Sequence, residues 1–130
     1  MERKLKFEDH TIEQLLTMPP EELMDMASQR FRLRIPPTVD SVEDMQAIGQ
    51  LLSQSASEYS YLLNMAMLAK LRKRQLKRDG AEKKECEDAL SREEIFQNFA
   101  SIMKTTYDAA SRMITVKQQI NEELRFTDGR

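Results

Sequence analysis

Residues 40–80 read DSVEDMQAIGQLLSQSASEYSYLLNMAMLAKLRKRQLKRDG. Asp40 and Ser41 ahead of Glu43 and Asp44 form a helix start, because short side-chain oxygens accept from free N–H groups and carboxylates favour the positive end of the helix dipole. No breaker follows until Asp79-Gly80, so the stretch predicts a single helix of roughly 38 residues, about 57 Å long at 1.5 Å per residue. Met45, Ile48, Leu52, Ala56, Tyr59, Leu62 or Leu63, Ala66 and Ala69 recur at steps of three and four, the spacing of one apolar helix face. Gly49, Ser53, Ala56 and Ser60 make a second ridge of small side chains, which either admits a neighbouring backbone or simply faces solvent.

Past Gly80 the pattern resumes. Ser91-Arg92-Glu93-Glu94 is a capping-box sequence, so either one helix runs from about Glu82 to Arg125, or a short one stops near Leu90 and a long one restarts. Ile95, Phe99, Ile102, Thr106, Ala109, Met113, Val116 and Ile120 alternate steps of four and three, with Phe96, Met103, Ala110, Ile114 and Leu124 beside them. That stripe is broader than a two-stranded seam needs and must face more than one neighbour. The fold expected is therefore all-α: a long antiparallel helical hairpin over residues 38–126, bundle-like and open to completion by oligomerisation, with residues 127–130 as a tail.

Upstream, residues 1–10 read as a flexible start, and residues 11–37 as short helices followed by an extended arm. Thr11 with Gln14 caps a helix that reaches about Leu16, and Pro19-Pro20-Glu21-Glu22 opens another that runs to Arg30 and buries Leu23, Met26 and Ala27. Residues 30–35 then alternate basic and apolar with period two, and Pro36-Pro37 forbids a helix there. A helix of about 12 residues covers only about 18 Å of the hairpin. Part of the hairpin is thus expected to lack a cover supplied by the same chain, and exposed apolar patches of that size mark docking surfaces.

Composition sets the limits on function. The chain has 130 residues, 20 Lys plus Arg against 22 Asp plus Glu, 3 Gly and 6% aromatic residues, which suits one helical domain and leaves little material for a β-sandwich. Up to Arg78 there are 12 basic and 11 acidic residues, and after it 8 and 11. Neither half has the strongly basic footprint of a dedicated duplex binder. Cys86 is the lone cysteine, which points to the reducing cytoplasm. The apolar stretch from Tyr61 to Ala69 is too short to span a bilayer, so no membrane is expected as a partner. With His10 the single histidine, and with Gly49, Gly80 and Gly129 too scattered for a phosphate loop, no catalytic residue, metal site, cofactor or small-molecule substrate is expected.

Two basic features stand out. Lys70, Lys73, Arg74, Lys77 and Arg78 share an arc of about 140° on a helix; they either meet phosphates or an acidic partner, or complement the helix end and pair across the turn with Glu82, Glu85, Glu87 and Asp88. Arg30, Arg32 and Arg34 project from one side of the arm, toward nucleic acid or snorkelling around Phe31, Leu33 and Ile35. For protein contact, the candidates are Leu52, Tyr59, Leu63, Met67, Phe99, Met103 and Met113. Most of the nine methionines occupy apolar positions, where flexible thioethers fill irregular gaps.

Ser41-Val42-Glu43-Asp44-Met45 through Leu52, and Ser111 through Leu124 with its Met113-Ile114-Thr115-Val116-Lys117-Gln118-Gln119-Ile120 core, resemble short uncharacterised helical proteins of Gram-positive prophages and integrative elements. The resemblance spans about Thr11 to Leu124 and implies mobile-element biology, with no site residues to carry over. The sequence thus leads to a non-enzymatic helical interaction module, which the resemblance implies is encoded by a phage or mobile element, and whose partner is itself, as a homo-oligomer, or another protein. A nucleic-acid accessory protein using residues 70–78 is the second reading. A small inhibitor of a host defence or replication enzyme is the third.

Overall fold

The computed structural model describes residues 5–128, with side chains as far as Arg125. Its elements, all helical, are a 3-10 turn at Phe7–Asp9, then α1 (Ile12–Leu15), α2 (Pro20–Arg30), α3 (Val42–Arg78) and α4 (Lys83–Asp128). Among the described residues there is no strand, and α3 and α4 pack along each other as a hairpin. The expected tail is helical through Asp128; Gly129 and Arg130 lie outside the described residues.

Local chemistry sets each boundary. The Thr11 hydroxyl accepts from the Gln14 backbone N–H at 3.1 Å, while the Gln14 side chain accepts from the Thr11 N–H at 2.9 Å. Ser41 Oγ accepts from the Asp44 N–H at 3.0 Å and starts α3. At the other end Gly80 takes φ of 74°, a left-handed value that a Cβ disfavours. The Gly80 N–H then reaches the Lys77 carbonyl and the Ala81 N–H reaches the Leu76 carbonyl, the paired closure that ends a helix on glycine. Helix α4 does not break at Ser91. With apolar residues on both sides of that point, continuing the ladder costs less than freeing four carbonyls and four N–H groups.

The buried seam of α3 is Ile48, Leu51, Ser55, Leu62, Met65 and Ala69, with Ala66 beside it. These positions repeat every seven residues, the 3.5-residue period that keeps two helices in contact as they wind about each other. Of the expected face, Ile48, Leu62, Ala66 and Ala69 are buried here and Leu52 and Tyr59 flank the two clusters, while Met45, Ala56 and the alternative Leu63 are exposed. In α4 the column expected beside the stripe is its centre: Phe96, Met103 and Ala110, seven residues apart, are wholly buried. Ile102, Val116 and Ile120 of the expected stripe are left about half exposed.

Around the middle of the hairpin, Phe7, Leu15, Leu16, Met18, Leu23, Ala27 and Phe31 join Leu62, Met65, Ile95, Phe96, Phe99 and Met103 in one core. The expectation of a flexible start is corrected for residues 5–10, since Phe7 is 5% exposed and its ring meets Phe31 edge-on, centroids 5.1 Å apart. Residues 1–4 lie outside the described residues. The arm extends the cover further than expected: Leu33, Ile35 and Val39 pack against a second cluster of Ile48, Leu51 and Ala110.

Candidate interaction surfaces

The arm covers one flank of the hairpin's open end and leaves a groove beside it. Lys117 Nζ lies 3.3 Å from Asp40 Oδ1, level with the start of α3, so the remainder of α4 outruns its partner helix by about 16 Å. Between Val39 on the arm and Ala109, Met113, Val116 and Ile120 on α4 runs a cleft of about 470 Å³. Arg112 and Lys117 stand on its rim, and the exposed Leu124 continues the apolar line past it. The Asp44 carboxyl, held below its ordinary value chiefly by the Thr38 hydroxyl that donates to it at 2.8 Å, pins the arm to the first turn of α3.

The expected protein-contact residues separate into three groups. Phe99 and Met103 are core residues, at 6% and 0% exposure, and are corrected: they lie on the seam and cannot meet a partner. Leu52, Tyr59 and Met113 are half-buried flanks of the two clusters, although Met113 also lines the groove. Leu63 and Met67 are exposed on the outer side of α3.

The cations likewise part company. Lys73 turns inward to Glu93, and Arg72 bonds Glu13 at 2.8 Å, so Lys73 leaves the stripe. Lys70, Arg74, Lys77 and Arg78 are exposed and make no ion pair among the described residues. The expected pairing across the turn with Glu82, Glu85, Glu87 and Asp88 is absent among them; Lys83–Glu87, within α4, is the pair found there. Arg30 is corrected too. It ends α2 as expected, but its guanidinium bridges Glu8 and Glu58, each at 2.6 Å, instead of projecting with the arm. Arg32 and Arg34 are exposed, while Phe31, Leu33 and Ile35 pack inward.

Glu58 gave no sequence signal, since a lone acid among small residues looks solvated, yet it sits in a cleft of about 340 Å³ where Glu8, His10, Arg30 and Ser57 meet the rings of Phe7, Phe31 and Tyr61. Its groups are largely spent on each other. Arg30 pairs with both carboxylates, and His10 Nδ1 lies 2.8 Å from the Lys6 carbonyl oxygen. Burial first, and the Glu58 charge second, push the Tyr61 hydroxyl above its ordinary value. Desolvation lowers Arg92, whose Nε donates to the Met18 carbonyl at 2.8 Å and fastens the N-terminal layer to α4. Among the described residues no cluster of His, Cys, Asp and Glu could hold a metal, and no helix is long and apolar enough to cross a membrane. No family model, curated protein or solved structure matches the chain.

Proposed function

We propose that this chain is a non-enzymatic helical interaction module that docks a protein, a second copy or a foreign one, along the far half of α4. The carrying observation is the half-exposed row Val116, Ile120 and Leu124 on a helix that outlasts its partner. A helix laid against the groove would bury these side chains, each contributing on the order of 1–2 kcal/mol, and Arg112 at the rim would set its polarity. The resemblance to mobile-element proteins supports a foreign host enzyme as one such partner.

Molar mass by light scattering, for the wild type and Val116→Glu/Ile120→Glu, tests the reading. A wild type heavier than the monomer that falls to monomer mass in the variant supports docking between copies. Equal monomer masses discard docking between copies and leave a foreign protein as the occupant to test. The reading fails if the variant loses the roughly 2–5 kcal/mol that disruption of a packed core costs, because the row would then be interior.

A further inference from the structure

The unpartnered outer face of α3 differs in kind from the groove, being charged as well as apolar. Tyr61 stacks near Phe7 and Phe31, and Arg72 reaches Glu13, so both point toward the N-terminal layer. Positions two residues further on are turned by about 200°, which sends Leu63 and Arg74 out of the opposite side of the molecule. Met67, Lys70, Leu71 and Lys77 share that side and are exposed, Met67 at 62%. No acid occurs between residues 59 and 78.

The N-terminal layer carries the complementary surface. Between residues 5 and 29 there are six carboxylates against the single Lys6. Leu23 and Ala27 face the core, which leaves Glu21, Met24 and Asp25 on the outer side of α2, all exposed. Glu21 and Asp25 are one turn apart, about 6 Å along the axis, as are Lys70 and Arg74. Met24 beside the acids matches Met67 and Leu71 beside the cations.

We infer that α2 of one copy docks on the outer face of α3 of another, with Glu21 and Asp25 meeting Lys70 and Arg74. The two patches lie on opposite sides of the molecule, so the contact is head-to-tail and adds copies in chains or rings. A nucleic-acid duplex fits the face less well: it gains nothing from Leu63, Met67 and Leu71, and it would meet Asp79, Glu82, Glu85 and Glu87 at the adjoining turn. The contact is distinct from the groove on α4 and differs in salt response. Exposed ion pairs weaken as the screening length falls from about 20 Å at about 20 mM salt to about 4 Å at about 500 mM, whereas apolar burial does not.

Sedimentation velocity of the full chain at those two salt concentrations tests it, with K70E/R74E, E21K/D25K and the four-fold charge swap. The wild type is expected to exceed twice the monomer mass at low salt and to lose at least half of that excess at high salt. Each double variant is expected to lose it at low salt, and the four-fold swap, like an equimolar mixture of the two doubles, to regain it. Doubles that associate as the wild type does, or a swap that restores nothing, overturn the inference. So does a wild type that stays monomeric at low salt while shifting a labelled DNA duplex.

Discussion

Lys73 Nζ lies 2.6 Å from Glu93 Oε2, joining α3 to α4 with side chains only 16% and 7% exposed. The Gln97 amide donates to the other carboxylate oxygen at 3.4 Å. The pair sits beside Arg72 and Arg92, which bond Glu13 and the Met18 carbonyl of the N-terminal layer. Removing one member strands a charge that water scarcely reaches, so Lys73→Met is expected to cost about 2–4 kcal/mol. Replacing both, as Lys73→Met with Glu93→Leu, is expected to recover most of it. Urea unfolding of the two single variants and the double gives the coupling; additive losses would show that the ion pair carries nothing.

Ser55 is the polar interruption of the α3 seam. Wholly buried, its hydroxyl donates to the Leu51 carbonyl at 2.7 Å, an oxygen that the helix ladder already uses. Such back-bonding adds little to stability. Ser55→Ala is therefore expected to change the unfolding free energy by less than about 1 kcal/mol, while Ser55→Leu overpacks the seam and costs about 1–3 kcal/mol. Thermal denaturation of the two variants checks the contrast.

Ser55 also shows why apolar spacing alone does not give the whole α3 seam. Counting only apolar residues takes Leu52, Ala56 and Tyr59 between Ile48 and Leu62, where the structure faces Leu51 and Ser55 inward. The heptad that fixes the true seam is visible only once Ser55 is admitted as buried and Glu58 as half-buried, and one hydroxyl and one arginine bridge make that tolerable. In α4 the apolar band is wide enough for either column to be the seam; the choice falls on Phe96, Met103 and Ala110 when the partner helix is in place. Helix ends, by contrast, were legible, because Thr11, Ser41 and Gly80 act on backbone groups a few residues away. Phe7 was hidden for the opposite reason: a single aromatic among charges has no period, and its pocket is built by Phe31 and Tyr61, distant in sequence. The surface cations were legible as a patch but not as individuals, since Glu93 and Glu13 reach Lys73 and Arg72 from other elements.

Tyr61 should make the fold sensitive to alkali. Its hydroxyl is held above the ordinary value of 10.0, chiefly by burial and then by the Glu58 carboxylate, with Arg30 opposing. A raised value means that the folded state holds the proton more tightly than the unfolded one. The corresponding stability is present in full below pH 10.0 and is lost as pH rises through the folded value. The wild type is therefore expected to unfold more readily above that pH than Tyr61→Phe, which keeps the ring contacts with Phe7 and Phe31 and has no proton to lose. Unfolding midpoints in urea across the alkaline range test this. Parallel curves for the two proteins would place the sensitivity elsewhere, and a slope that flattens in Tyr61→Phe would assign it to the hydroxyl beside Glu58.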